Sequence, residues 1–162
     1  MTTQTTLPAG EDEVVGALLA LSRVFVGVAA RSLAELDEDV TLAQFRTLVV
    51  LGARGPQRIV DLAQELSVTS STATRMCNRL VRKDLVAREE RAEDRRAAWI
   101  TLTPTGRGLV SDVLDRRRKA IATLVADLTM TRPLAFAAVV NALVEAAGEP
   151  TEAEWRRRWQ EN

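Results

Sequence analysis

A row of polar side chains recurs along one face of a helical segment in the middle of the chain. The row is spaced four, three and four residues apart and consists of Ser71, Arg75, Asn78 and Arg82, with Ser70, Thr74 and Arg79 beside it. Spacings of three and four place side chains on one side of an α-helix. Hydroxyl, amide and guanidinium groups are those that proteins use to contact base edges and phosphates. The row therefore predicts a DNA-contacting face, and an ordinary solvated helix face is the alternative.

The distribution of charge supports the DNA interpretation although the total charge does not. The 162-residue chain has 22 Lys plus Arg and 22 Asp plus Glu, a formal net charge of zero. Residues 46–118, however, carry 15 basic and 9 acidic side chains, a net charge of +6, and the rest of the chain carries the balancing −6. A basic segment between two acidic ends is typical of a nucleic-acid-binding domain with flanking regions of another function.

Several other kinds of chemistry are disfavoured by what the chain lacks. It contains no His, which is the commonest general base and transition-metal ligand, and one Cys, so an internal disulfide is excluded. No nucleophile, base and orienting group can be assembled, so we expect no enzyme, no cofactor and no metal site. An acidic cluster of Glu35, Asp37, Glu38 and Asp39 precedes a helix, where solvated carboxylates are ordinary.

Cys77 permits two interpretations. Nearby Arg75, Arg79 and Arg82 could lower the pKa of its thiol and make it a redox sensor. Its spacing with Ala73, Met76 and Leu80 instead indicates a small apolar residue in the buried stripe of the same helix. We favour the buried position and keep a redox-sensing regulator acting through Cys77 as an alternative.

The elements that position the polar row form a helix-turn-helix followed by a hairpin. A capping box at Thr41 and Gln44 starts one helix, with Val40 and Phe45 as a hydrophobic staple. A short helix with Ile59, Leu62, Ala63 and Leu66 follows, and Thr69 caps the helix that carries the row. Strands are predicted over Val86–Glu90 and Ala97–Leu102, joined by Arg91 to Arg96.

Long helices are predicted on both sides of this unit. An apolar stripe indicates a helix over about residues 11–36, and Thr103 with Pro104 starts another that runs to about residue 129. A further helix follows Pro133, and a last one opens with a capping box at Thr151 and Glu154. The predicted fold is mainly α with a small β-wing, a winged helix-turn-helix lobe framed by long helices that form a dimerisation scaffold.

The lobe resembles the MarR family of bacterial transcription regulators. The residues that carry the resemblance are the run Thr69–Leu80, then Leu85-Val86, the wing sequence Asp94-Arg95-Arg96, and Leu102–Gly106. The resemblance covers about residues 11–147. It implies a homodimer whose recognition helices enter successive major grooves of a pseudo-palindromic operator, with the wings in the minor groove, and repression relieved by a small ligand.

Individual positions follow from the resemblance. It assigns groove-facing roles to Ser71, Thr74, Arg75, Asn78 and Arg79, and it assigns the wing motif to Asp94 and Arg96. We expect Asp94 to hold Arg95 or Arg96 for entry into the minor groove. Three departures stand out: Asp84 replaces the Gly common after the recognition helix, Val60 replaces a usual hydroxyl cap, and residues 151–162 extend past the usual end.

Domain boundaries follow from these elements. We expect a disordered tail over residues 1–10, a dimerisation region over 11–36 and 104–147, a DNA-binding lobe over 37–103, and a helical extension over 148–162. In the extension, Trp155 and Trp159 share a helix face beside three Arg and are expected to dock on the dimer body, with the arginines balancing acidic ends of the chain.

The remaining expectations concern the ligand, the cell compartment and the competing function. The resemblance implies a ligand cavity between the lobe and the long helices, where Arg23 and Arg46 could attract an aromatic carboxylate; each could instead form a surface ion pair. No apolar run is expected to approach the roughly 20 residues of a bilayer span, so no membrane partner and a cytoplasmic protein are expected. The alternative to DNA binding is a winged-helix protein-interaction module.

Overall fold

The computed structural model describes residues 10–36, 39–91 and 94–162, with the side chains of residues 91 and 94–97 left undescribed. The predicted tail over residues 1–10 therefore lies almost wholly outside the described residues. The seven helices of the described part are α1 (Glu11–Ala34), α2 (Leu42–Arg54), α3 (Ile59–Glu65), α4 (Ser70–Arg82), α5 (Pro104–Ala126), α6 (Pro133–Ala146) and α7 (Glu152–Glu161). The strands there are β1 (Gln57–Arg58), β2 (Val86–Arg91) and β3 (Asp94–Leu102). This mainly helical fold with a small antiparallel sheet confirms the predicted fold class.

Helix starts follow the short-range patterns of the sequence. At α2, Gln44 N donates to Thr41 Oγ1 (3.2 Å) and Thr41 N donates to Gln44 Oε1 (3.0 Å), which completes the predicted capping box. The hydroxyl of Thr103 likewise accepts from Gly106 N (3.0 Å) at the start of α5, with Pro104 in the first turn. Each cap satisfies an amide that has no partner within the helix.

The sheet has one strand more than the sequence predicted. Its order is β1-β3-β2, all antiparallel, with Gln57 opposite Ile100 and Arg58 opposite Trp99. The two-residue strand β1 was missed because two residues show no alternation. The wing strands are also longer than predicted, since β2 reaches Arg91 and β3 begins at Asp94, so the predicted connection Arg91 to Arg96 is mostly strand.

The cap assigned to α3 was also misplaced. Arg58 is its N-cap and makes no side-chain capping hydrogen bond, whereas Val60 lies one residue inside the helix and is half exposed. Arg58 instead holds Asp61 of the first turn through two hydrogen bonds, Nε to Oδ2 at 2.7 Å and Nη2 to Oδ1 at 3.0 Å. This hydrogen bond is the main cause that holds the pKa of Asp61 below its usual value. Helix α3 therefore lacks a side-chain cap, as expected, although the residue at the N-cap position is Arg58 and not Val60.

The core lies inside the winged-helix lobe, and the long helices outside it leave apolar surface uncovered. Phe45, Leu48, Leu62, Leu80 and Ile100 are all at most 1% exposed. By contrast, the apolar side chains along most of α1 and along α6 are exposed, and no residue of α6 is buried.

Helix α1 also corrects an expectation about membranes. It is 24 residues long and apolar enough over 18 of them to cross a bilayer by length and composition. The expectation that no run of this kind exists was wrong. Arg23 interrupts the apolar run, but the mean hydropathy of the helix stays high enough for a bilayer span. Core helices of soluble proteins also meet this criterion.

Candidate nucleic-acid interface

The turn between α3 and α4 is closed by backbone hydrogen bonds. Val68 N donates to Ala63 O (2.9 Å) and Ser67 N donates to Gln64 O (3.0 Å). Ser67 has φ 52°, the left-handed conformation that commonly ends a helix. Thr69 then caps α4 by accepting from Thr72 N at 3.2 Å. These contacts fix the direction of α4 against α3, as the predicted helix-turn-helix requires.

Helix α4 divides into a buried stripe and an exposed row. Ala73, Met76, Cys77 and Leu80 are buried against the lobe. The side chains on the other side are exposed, and they are Ser70, Ser71, Arg75, Asn78, Arg79 and Arg82. The structure thus brings six of the seven predicted contact residues onto one accessible face.

Thr74 is the exception in this row. Its side chain is half-buried, and its hydroxyl donates to Ser70 O at 2.8 Å. The hydroxyl proton is therefore used within the helix, which leaves the oxygen lone pairs and the methyl group for any contact with a base.

Hydroxyl groups cluster at the N-terminus of α4. Thr69 Oγ1 lies 3.0 Å from both Ser71 Oγ and Thr72 Oγ1, and Arg75 Nη2 lies 3.5 Å from Thr72 Oγ1. Helix N-termini favour anions because their first amides are unpaired and the helix dipole is positive there. This end of α4 is suited to a phosphate oxygen.

The wing contributes a residue that the sequence analysis missed. Arg88 of β2 donates through Nη2 to Asn78 Oδ1, so the strand and the recognition row are joined by a side-chain hydrogen bond. The sequence signal that could have identified Arg88 is a basic residue in the first wing strand, close after the polar row of α4. Asn78 keeps its amide donors and one lone pair of Oδ1, since Arg88 uses the other.

A second junction holds the wing base to α5. Asp84 has φ 55°, the left-handed conformation that Gly adopts freely and Asp adopts at some cost. Thr103 Oγ1 donates to Asp84 O (2.6 Å), and Thr105 Oγ1 donates to Asp84 Oδ2 (3.1 Å). Only the second of these hydrogen bonds uses the Asp84 side chain, and it offsets part of the cost of the left-handed conformation.

The predicted wing motif is described in its backbone alone. Asp94, Arg95 and Arg96 are the first three residues of β3, and Asp94 pairs with Arg91 across the hairpin. The register shifts between Glu89 and Arg91, which indicates a β-bulge near the tip. The side chains of Asp94, Arg95 and Arg96 lie outside the described part, so the predicted role of Asp94 stays a prediction.

Comparisons with known proteins agree with this geometry. The model of the MarR family matches residues 40–98, the segment from α2 to the wing. The crystal structure of RV1404 from Mycobacterium tuberculosis is 36% identical, with a TM-score of 0.81, and the match covers 90% of this chain and 99% of that one. The chain belongs to the MarR family.

Two further relatives are named for their function. The HTH-type transcriptional repressor MdtR of Bacillus subtilis is 29% identical over 86% of this chain and 90% of its own length. The structure of transcriptional regulator Tm0710 from Thermotoga maritima is 25% identical, with a TM-score of 0.68, and the match covers 84% of this chain and 99% of that one. This MarR-family protein is accordingly a DNA-binding transcription regulator and not an enzyme.

The MarR-family lobe encloses Cys77 completely. Its side chain is 0% exposed, and burial raises the pKa of the thiol, while Arg88 acts in the opposite direction. The cation that acts on the thiol is Arg88 and not the three arginines named from the sequence. A reactive cysteine requires access and a lowered pKa, so this environment favours the packing role.

The two candidate ligand residues are not brought together. Arg46 forms an ion pair with Glu149 (2.9 Å), with both side chains about half exposed, as the surface alternative predicted. Arg23 is exposed on α1 and lines neither of the two cavities found beside α2. Among the described residues no cluster of three or more potential metal ligands occurs.

Proposed function

We propose that this MarR-family protein is a homodimeric, sequence-specific repressor whose α4 reads a pseudo-palindromic operator. The observation that carries the proposal is the exposed row of α4, where Ser71, Arg75, Asn78 and Arg82 lie together above a buried apolar stripe. A row of this composition provides both base-edge and phosphate donors. Repression is favoured by the similarity to MdtR, which is a transcriptional repressor.

Dimerisation is supported by the apolar surface that a single chain leaves uncovered. The exposed fractions are 61% for Val26, 54% for Phe136 and 61% for Val139. Helix α6 buries none of its apolar side chains within one chain, and long apolar helices beside a DNA-binding lobe are suited to a two-fold contact. Residues 11–36 and 104–147 then form the dimerisation region, 37–103 the DNA-binding lobe, and 148–162 an extension.

The same surface gives α1 an explanation other than a membrane. A second copy that covers α1 would bury the apolar residues that now face solvent. We therefore propose that the regulator is cytoplasmic. From the family resemblance we also propose that a small aromatic anion releases it from DNA.

Footprinting tests the dimer and the operator together. Two recognition helices related by a two-fold axis contact half-sites about one helical turn apart, so protection should extend over an imperfect palindrome of roughly 16–20 base pairs. Protection of one short half-site would contradict the dimer. A gel shift with the upstream DNA at rising salt distinguishes the interaction module, which would show no specific complex at any salt concentration.

A further inference from the structure

Helix α7 brings the chain back to the DNA-binding lobe after α5 and α6 have led away from it. The first turns of α5 belong to the core of the lobe, where Leu109, Val110 and Val113 are buried. Farther along the same helix Leu124 and Leu128 are exposed, and no residue of α6 is buried. Helix α7 then packs on α2. The lobe is therefore joined to the proposed dimerisation helices through the backbone of α5 and, at a separate place, through the side chains of α7.

Trp159 makes the central contact between α7 and the lobe. A Cβ built on Gly52 of α2 would come within 2.1 Å of the indole, so the ring lies directly on the backbone of that helix. The indole packs against the buried core of the lobe and stacks on Trp155 of its own helix, with ring centroids 5.0 Å apart. Any side chain larger than hydrogen at position 52 would displace the ring, so the contact depends on this glycine.

Arg107 connects the same indole to the beginning of α5. Its guanidinium lies 4.5 Å from the ring centroid of Trp159, and its Nη1 donates to Trp159 O at 3.0 Å. The neighbouring Gly106 lies against the base of the wing, since a Cβ on it would come within 2.0 Å of Leu85 O. Trp159 therefore contacts α2 and also the end of α5 that is fixed to the wing.

Two polar contacts extend the attachment of α7 along α2. Near the C-terminal end of α2, Asn162 Nδ2 donates to Ala53 O at 3.4 Å. Near its N-terminal end, Arg46 pairs with Glu149 of the connection between α6 and α7 at 2.9 Å. Residues 46 and 53 are about 10 Å apart along a helix. A rotation of the lobe about α5 would have to break contacts at both ends of this length.

We propose that α7 fixes the angle between each DNA-binding lobe and the dimerisation helices, with Trp159 as the positioning residue, so that the dimer recognises half-sites at one spacing. The inference rests on the proposed homodimer and palindromic operator. The second lobe of a dimer binds at a high effective concentration only if it reaches its half-site without strain. A lobe that swings about α5 would reach several spacings and favour none strongly. Residues 151–162 would then select operators by their spacing and not by contact with bases.

Fluorescence anisotropy with operators of altered spacing tests this role. The duplexes carry the footprinted half-sites at the native spacing, with one base pair added and with one removed, and a further duplex carries a single half-site. One base pair moves a half-site by about 3.4 Å and rotates it by about 35°. We expect the unmodified protein to bind the native spacing at least about tenfold more tightly than either altered spacing, because avidity is lost when both lobes cannot bind together.

Variants at the contact between α7 and α2 should relax this preference. Trp159→Ala should lower it at least about fivefold, within the usual range of coupling between two sites, and leave binding to the single half-site unchanged. Gly52→Ala displaces the indole from the other side of the contact and should act in the same direction. Trp159→Phe keeps an aromatic ring on Gly52 and should retain most of the preference. The matched control is Arg157→Ala at an exposed position of α7, which should retain all of it.

A general loss of stability would give a different result from a loss of positioning. If Trp159→Ala weakens every duplex alike, including the single half-site, and keeps the spacing preference, the role of α7 is overturned and the proposed function stands. Thermal unfolding checks each variant, and Gly52→Ala decides in the same way if Trp159→Ala does not fold. If the unmodified protein binds the native spacing no more tightly than the single half-site, the proposed dimeric function and the inference are both overturned.

Discussion

Arg88 of β2 donates a hydrogen bond to Oδ1 of Asn78 on α4, so the wing is joined to the recognition row through a residue of the row itself. An asparagine that contacts adenine in the major groove uses its oxygen as an acceptor and its amide as a donor. Oδ1 has two lone pairs, so Arg88 can stay on one of them and orient the Asn78 amide while the other accepts from the base. The two residues should therefore behave as one unit in DNA binding.

A double-mutant cycle measures this coupling. Asn78→Ala and Arg88→Ala should each weaken operator binding, with an interaction free energy of about 0.5–3 kcal/mol between them. The matched control pairs Arg88→Ala with Ser71→Ala, because Ser71 is seven residues and about 10 Å along the helix from Asn78. Equal coupling in both cycles would contradict a specific link between Arg88 and Asn78.

Base reading and phosphate contact should separate along α4. Arg75→Ala should lose about 1–3 kcal/mol of binding free energy on the operator and little on random DNA, because a lost base contact removes discrimination between sequences. Arg82→Ala, at the C-terminal end of the row, should weaken both DNAs alike. Fluorescence anisotropy with operator and scrambled duplexes makes the comparison at one salt concentration. If Arg75→Ala, like Arg82→Ala, loses the same affinity for the operator as for the scrambled duplex, α4 does not face the bases.

The sequence predicted those parts of the fold that depend on neighbouring residues. The caps at Thr41, Thr69 and Thr103 were all found, since a cap involves residues three positions apart. Such features are decided by backbone geometry within a few residues, which a single sequence displays directly.

The contacts that were missed join residues far apart in the chain. Strand β1 exists because Gln57 and Arg58 meet β3 some forty residues later. Trp159 was expected on the dimer body, yet it lies on Gly52 of the DNA-binding lobe as well as against α5. Both contacts depend on how the elements pack, which periodicity does not reveal. The arginines beside Trp159 are a separate, short-range miss: they were expected to balance distant acidic ends, and Arg156 instead pairs with Glu152 four residues before it in the same helix.

The contact between Gly52 and Trp159 gives a prediction for stability. Gly52→Ala places a methyl group inside the indole, so the ring must move and the free energy of unfolding should fall by about 1–3 kcal/mol. The control is Gly108→Ala on α5, where an added Cβ meets no atom within 4 Å, and which should stabilise by about 0.5–1 kcal/mol. Chemical denaturation followed by circular dichroism measures both. A neutral Gly52→Ala would show that α7 is not packed on α2.

The enclosure of Cys77 predicts an unreactive thiol. In the native protein at pH 8 a thiol reagent such as dithionitrobenzoate should react far more slowly than with the unfolded chain, because the side chain is inaccessible and its pKa is raised. Adding denaturant should restore the full rate. Rapid labelling of the native protein, or loss of DNA binding on treatment with peroxide that Cys77→Ser prevents, would favour the redox alternative.

The wing supplies the last prediction, which depends on whether Asp94 has a structural role. If long-range charge alone mattered, removing an acid beside phosphates should strengthen binding, since each neutralised phosphate adds about 0.9 to the salt slope of log K. If Asp94 instead holds Arg95 or Arg96 in a bidentate pair, Asp94→Ala frees that guanidinium and raises the entropy lost when it enters the minor groove.

The sign of the change decides between these two accounts. We expect Asp94→Ala to bind the operator more weakly than the unmodified protein, and Arg95→Ala and Arg96→Ala to be impaired as well. The control is Glu90→Ala at an exposed position of β2, which removes the same charge from the wing outside the motif and should strengthen binding slightly. Titrations at constant salt in which Asp94→Ala and Glu90→Ala both bind more tightly would leave the wing as a purely electrostatic contact.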